Sequence, residues 1–128
     1  MRLGGEDAAW LHMEAPDNPM IVNGWVELQG TLEPARMRRL VEERLLINAR
    51  FKDRVEEPRL GMGPPRWVRS ESFDVRDHVV EAKLPDASDD ALRRFIGEQV
   101  STLLDRSRPL WRVILVDRPG SGTTILYR

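Results

Sequence analysis

Leu104-Asp105-Arg106-Ser107-Arg108-Pro109-Leu110-Trp111, followed by Arg112-Val113-Ile114-Leu115-Val116, decides how this chain folds. From Trp111 to Val116 every residue but Arg112 is apolar. A run like this reads as a central strand, buried on both faces of its sheet. Upstream, Leu92, Phe95, Ile96, Val100, Leu103 and Leu104 recur at helical spacing, the strongest periodicity in the sequence. Ser88 is placed to cap that helix, and Asp89 and Asp90 put negative charge in its first turn. Pro109 disfavours a helical Arg108 and is expected to enforce the helix stop. The quoted stretch should therefore turn a helix into a central strand. Downstream, Pro119-Gly120-Ser121-Gly122 reads as a turn and Thr123 to Tyr127 as a second strand, so the two should form a hairpin. An apolar last strand with no cover implies an exposed sheet edge, and with it a chain that is part of something larger.

Towards the N-terminus, Asp7 to Glu14 reads as a short helix capped by Asp7, with Trp10, Leu11 and Met13 apolar and Pro16-Asp17-Asn18-Pro19 as the breaker. Met20 to Gln29 alternates as a strand does, with Met20, Val22, Val26 and Leu28 on one face. Gly24 within it marks a bulge or a close approach to the backbone. Pro34 opens a helix running to about Ile47, with Met37, Leu40, Val41 and Leu45 on its core face. Arg38–Glu42 and Arg39–Glu43 have the spacing of ion pairs on its solvated face. Phe51 to Glu56 and Trp67-Val68 read as short extended segments around a Pro- and Gly-rich loop, and Phe73 to Ala82 as a turn followed by a strand. Together these predict an α+β fold, with helices packed on a mixed β-sheet in two layers.

One hundred and twenty-eight residues suffice for a single domain with a core, residues 1–128 forming one lobe. A formal net charge of −1 provides no field to attract nucleic acid or an anionic membrane, so no nucleic-acid partner is expected. The basic residues are nearly all Arg, with only Lys52 and Lys83 as exceptions. The absence of Cys excludes disulfides, thiol nucleophiles and Cys-based metal sites. No apolar run approaches the ~18 residues of a membrane span, and the N-terminus lacks a signal-peptide pattern. A cytoplasmic protein is the simplest expectation.

No catalytic centre emerges from the residues themselves. His12 and His78 have no second ligand at metal-binding spacing, and a structural role is expected for each, His12 being the more open case. Gly120-Ser121-Gly122 precedes a strand, whereas a nucleophile elbow precedes a helix. There is no phosphate loop and no marked acid/base pair. Trp10, Trp25, Trp67 and Trp111 read first as core residues. No metal and no bound cofactor are expected.

The wording of four segments adds to this reading. Asp7 to Glu14 with Asn18-Pro19-Met20, Leu46 to Arg54 with Arg50-Phe51-Lys52-Asp53-Arg54, Phe73-Asp74-Val75-Arg76-Asp77-His78-Val79, and Leu104 to Trp111 with Pro109-Leu110-Trp111 resemble, in this order, the N-terminal portion of the bacterial wax ester synthase/diacylglycerol acyltransferase family. Asn48-Ala49 stands where that family has a Pro next to the Arg. The resemblance implies the N-terminal lobe of a chloramphenicol-acetyltransferase-like fold and transfer of a fatty acyl group from acyl-CoA to diacylglycerol or a long-chain (fatty) alcohol. It implies a catalytic His-His-x-x-x-Asp-Gly motif just beyond Arg128, so that no catalytic residue lies in this chain, and the C-terminal remainder of the enzyme as a partner. It also implies association with a membrane or lipid-droplet surface. Pro109, Leu110 and Trp111 are then expected to fix the helix-to-strand corner, and Trp10, Met13, Met20 and Trp25 to line a substrate channel. The contrasting expectation is a non-catalytic interaction domain that pairs through its C-terminal strand.

Overall fold

A computed structural model of the chain describes residues 1–128. Four strands make one mixed sheet, in the spatial order β1 (Gly24–Glu27), β6 (Gly122–Tyr127), β5 (Val113–Arg118) and β4 (Val79–Lys83). β5 (Val113–Arg118) and β6 (Gly122–Tyr127) form the expected antiparallel hairpin, with Val116 opposite Thr124 and Ile114 opposite Leu126. β1 pairs antiparallel with β6, and β4, which follows the one-turn helix α3 (Val75–His78), pairs parallel with β5. A separate antiparallel hairpin joins β2 (Asp53–Glu56) and β3 (Arg66–Arg69).

The alternation along β5 divides the core. Val113 and Leu115 face one side, where they pack with Val79, Trp111 and with Val41 of α2 (Pro34–Arg44). Ile114 and Val116 face the other, where they pack with Leu126 and with Leu92 and Ile96 of α4 (Asp89–Val100). The α+β class and the mixed sheet match the expectation, but helices cover both faces, giving three layers instead of two. The reason is in β5 itself: a strand apolar on both faces needs a cover on each. β6 is likewise not an edge, because β1 lies on its free side. The expected exposed edge at the C-terminal strand is therefore absent, and with it the pairing surface that an interaction domain would use there.

α1 (Gly5–Met13) begins at Gly4, whose backbone is extended and whose position has no side-chain cap; Asp7 lies inside the first turn, where it faces the dipole instead of capping. β1 is shorter than the Met20–Gln29 alternation implies, and Val22 remains 79% exposed. α2 starts at Pro34 as expected but ends at Arg44. Its predicted Arg–Glu pairs do not form; Arg38 instead donates from Nε and Nη2 to the Val79 carbonyl, at 3.3 Å each. A buried carbonyl at the start of β4 is a better partner than a mobile surface carboxylate.

α4 ends at Val100, before Leu103 and Leu104, so Pro109 is not what stops it. The Ser101 hydroxyl donates to the Gly97 carbonyl at 2.7 Å and the Thr102 hydroxyl to the Glu98 carbonyl at 2.9 Å. These side chains satisfy the last carbonyls of the helix and end it. Residues 101–112 form neither helix nor strand. At the start of α4 the expected cap is present: the Ala91 N–H donates to Ser88 Oγ at 3.1 Å.

Candidate functional site

The irregular stretch before β5 is held by its charged side chains. Arg106 donates from Nη1 to Glu57 at 2.8 Å, and from Nη2 to the Leu11 carbonyl at 2.8 Å and to Glu14 at 3.2 Å. One guanidinium thus ties the segment to the end of α1 and to the β2–β3 hairpin. Arg108 pairs with Asp77 at 2.9 Å. Asp105 accepts from the Ser107 N–H and hydroxyl at 2.9 and 2.7 Å, closing a local turn, and these bonds hold its carboxyl below the ordinary value. Of the four tryptophans only Trp111 is buried in the core. Its Nε1 donates to the Phe51 carbonyl at 2.8 Å, and Phe51 meets it edge-on. Pro109 is buried, and Leu110 turns away from the core towards α1. The three residues thus anchor the entry to β5, although the element before them is a loop and not a helix.

Beside this segment lies an apolar groove of about 360 Å³. Its walls come from α1 (Trp10, Leu11), the stretch Met20 to Val22, the hairpin residues Val55 and Trp67, and Leu104 and Leu110. Ten of its thirteen lining residues are hydrophobic, the polar ones being Asp7, Glu14 and Arg128, a mostly apolar lining of the kind that takes an apolar ligand. Leu3, Leu11 and Val55 form the small core beneath it. Leu3 reaches that core because the N-terminus adds to the hairpin, the Leu3 N–H donating to the Pro65 carbonyl at 3.0 Å and the Trp67 N–H to the Met1 carbonyl at 2.8 Å.

The structure brings Trp10 and Met20 together in the groove wall but not Met13 or Trp25. Met13 is on α1, 52% exposed, and Trp25 is on β1, 51% exposed, opposite Leu126. Reading the sequence for tryptophan and methionine missed Ile21, Trp67, Leu104 and Leu110. Leu104 and Leu110 were visible only as members of a motif, and Trp67 enters because the hairpin folds back on α1. No three His, Asp or Glu side chains converge at metal-ligand distance. His12 is exposed on α1, and His78 is buried against Trp111.

A profile of the wax ester synthase/diacylglycerol acyltransferase catalytic domain matches residues 3–121. Among curated proteins, the chain is 32% identical over 130 residues to the "Probable diacyglycerol O-acyltransferase tgs3" of Mycobacterium tuberculosis, a match covering 98% of this chain and 48% of that protein. It is 34% identical over 76 residues to the tgs1 protein of the same organism, covering 59% of this chain and 16% of that one. The chain thus spans about half, or less, of the length of these relatives. Among solved structures, the wax ester synthase/diacylglycerol acyltransferase from Marinobacter aquaeolei VT8 superposes with a TM-score of 0.77 at 25% identity, covering 99% of this chain and 32% of that one. The first condensation domain of the CDA synthetase superposes with a TM-score of 0.57 at 16% identity, covering 82% of this chain and 28% of that one, a likeness of fold. With a profile match over nearly its whole length, the chain belongs to the wax ester synthase/diacylglycerol acyltransferase family.

Proposed function

We propose that this chain acts as the N-terminal lobe of an acyl-CoA-dependent O-acyltransferase. The enzyme moves a fatty acyl group from coenzyme A to diacylglycerol or a long-chain alcohol, making triacylglycerol or wax ester. The observation that carries the reading is the apolar groove between α1 and the Leu104–Leu110 segment, in a chain of this family. Its lining suits an alkyl chain, which gains about 0.8 kcal/mol for each methylene removed from water. Trp10, Met20, Ile21 and Leu110 bind the chain, while Pro109 and Trp111 hold the loop that carries Leu110. The acceptor hydroxyl loses its proton to a His acting as general base and attacks the thioester carbonyl; the C–S bond then breaks, the acyl group stays on the acceptor oxygen, and the coenzyme A thiolate leaves with the proton returned by the His. That His belongs to a His-His-x-x-x-Asp-Gly motif, which no position in this sequence matches, so the base comes from a further part of the enzyme. The same reading has the protein working in the cytoplasm against a lipid surface, with the exposed Trp10 and Met13 of α1 turned towards it.

The test is co-expression with the remainder of a relative that carries the motif, followed by an assay of the purified complex with palmitoyl-CoA and either diolein or hexadecanol. Acyl transfer that is lost on Leu110→Arg is expected. A stable complex with no transfer to either acceptor would overturn the proposal.

A further inference from the structure

We propose that the tip of the β2–β3 hairpin enters the surface of an anionic lipid bilayer, with Leu60 and Met62 reaching the acyl boundary and Arg59 meeting the headgroup phosphates. The proposal rests on the reading that the protein works against a lipid surface, and it names the segment that makes the contact. Residues 57–65 join the two strands. Leu60 is 89% exposed and Met62 75%. Leu60 is also the one residue other than glycine with a positive φ, at φ 70° and ψ 13°. A left-handed leucine is strained, and glycine would hold the same conformation without strain. The position thus keeps a large apolar side chain at a cost in stability and gains almost no packing in return.

The base of the loop is fixed and its tip is bare. Pro65 is fully buried, and its carbonyl accepts from the Leu3 N–H at 3.0 Å. Pro58 and Pro64 restrict the chain on either side of the tip. A Cβ added at Gly61 or Gly63 would meet nothing within 4 Å, so no other part of the chain approaches the backbone there.

The charges around the loop complement an anionic surface. Arg2, Arg59 and Arg66 border the recess beside Met62, with Glu56 and Glu57 as its carboxylates. Glu56 is held by Arg54 at 3.2 Å and by Arg66 at 3.0 Å, and Glu57 by Arg106 at 2.8 Å. The Arg59 side chain is exposed and makes no hydrogen bond or ion pair, so its fork is free to meet a phosphate. The formal net charge of −1 gives the chain as a whole no attraction to such a surface, and the local excess has to orient it. Apolar side chains at the tip with arginine at their base match the layering of a bilayer surface, acyl chains beneath phosphates. Two side chains on one loop offer too little area for a stable protein partner, which takes about 1,000 Å².

Sedimentation with vesicles tests the contact, using phosphatidylcholine alone and phosphatidylcholine with about one third phosphatidylglycerol. The parent should bind the mixed vesicles more tightly than phosphatidylcholine alone. Leu60→Gly combined with Met62→Ser should bind the mixed vesicles about tenfold more weakly, while Leu60→Gly alone melts no lower than the parent. Arg59→Gln should lose about fivefold on the mixed vesicles and nothing on phosphatidylcholine alone. Ile47→Ser, at a site similarly exposed at 78% but outside the hairpin, should bind as the parent does. The chain has no Cys, so Met62→Cys carries a single environment-sensitive dye, whose emission should shift to the blue on the mixed vesicles. A parent that binds neither vesicle overturns both this proposal and the lipid-surface reading. A parent that binds, but no more tightly to the mixed vesicles, overturns the anionic contact. Equal binding by the Leu60→Gly, Met62→Ser protein, an equal loss in Ile47→Ser, or an unshifted dye overturns the hairpin contact and leaves the lipid-surface reading standing.

Discussion

The His78 imidazole lies face to face with the Trp111 indole, ring centroids 4.5 Å apart and 26° from parallel, and its Nδ1 is 2.9 Å from the Trp111 carbonyl oxygen. A carbonyl only accepts, so Nδ1 carries the proton in the neutral ring. Phe73 packs beside both rings, its centroid 5.2 Å from that of His78 and 6.3 Å from that of Trp111, so the three rings form one cluster. The histidine therefore fastens the end of the helical turn Val75–His78 to the residue that leads into β5.

This packing gives His78 a definite pH signature. Burial is the main cause that lowers its pKa from 6.5; Arg108 and Arg112 act in the same direction, and the Trp111 carbonyl and Asp77 oppose them. As pH falls through 6.5, the unfolded chain takes up this proton before the folded one does. The contribution to stability is thus complete above 6.5 and lost between 6.5 and the lower folded value. Melting temperatures of the parent should drop from about pH 7.5 to about pH 5.5, and the drop should be smaller in His78→Gln, which keeps an N–H for the Trp111 carbonyl. Equal drops in both proteins would show that His78 does not titrate in this way.

Gly24 faces Tyr127 across β1 and β6, and a Cβ at Gly24 would overlap the tyrosine ring. The ring fills the space that a strand glycine leaves bare, a device that offsets glycine's weakness in sheets. Gly24→Ala should destabilise by about 1–3 kcal/mol through overpacking. Tyr127→Ser in the Gly24→Ala background should recover part of the loss in a double-mutant cycle by chemical denaturation. Additive losses would mean that the two sites do not meet.

Gly24 also shows how far the sequence could be read. A glycine inside a strand pattern indicates that something comes close, but the approaching group is Tyr127, and only the β1–β6 register identifies it. The β5–β6 hairpin and the start of α4 were readable because apolar spacing, turn residues and a Ser cap agree locally. The end of α4 was not. Leu103 and Leu104 continue the apolar period, and the stop depends on Ser101 and Thr102 bonding to carbonyls one turn back. The apolar faces of β5 demanded a cover on each side, which the two-layer expectation did not follow through, and the partner of β6 is β1, nearly the whole chain away. At the groove, Trp10 and Met20 were readable as large apolar residues, whereas Trp67 and Leu110 required the hairpin to fold against α1.

Arg118 is a second long-range connection that local patterns conceal. It is buried beneath the ends of β1 and α4, donating to Glu27 at 2.9 Å, to Asp89 at 3.2 Å and to the Ala87 carbonyl at 2.9 Å. Its partners are more exposed than it is, the Glu27 and Asp89 side chains being 54% and 75% exposed. Removing the cation frees two carboxylates that water can solvate. Neutralising both anions leaves a buried cation with neutral oxygen partners alone. The combined Glu27→Gln and Asp89→Asn change should therefore destabilise more than Arg118→Met, by about 1–3 kcal/mol, since an uncompensated buried charge is the costlier state. Urea unfolding of the two variants decides the order, and the reverse order would show that the packing of the Arg118 stem dominates.

The groove makes a prediction that separates its wall from the surface nearby. Trp10 and Met13 are both on α1 and similarly exposed, at 53% and 52%, but only Trp10 lines the groove. Truncation at either exposed site should change folding stability by no more than about 0.5 kcal/mol. Trp10→Ala removes an indole wall from a bound alkyl chain and should weaken a sixteen-carbon fluorescent fatty acid by about 5- to 30-fold, the equivalent of 1–2 kcal/mol of lost apolar contact. An eight-carbon analogue fills less of the wall and should lose less. Met13→Ala should leave both affinities unchanged. If the two substitutions weaken the long probe equally, it adheres to the outer face of α1 and the groove is not its site; if only Trp10→Ala does so, and more for the longer chain, the groove holds the alkyl chain along its length.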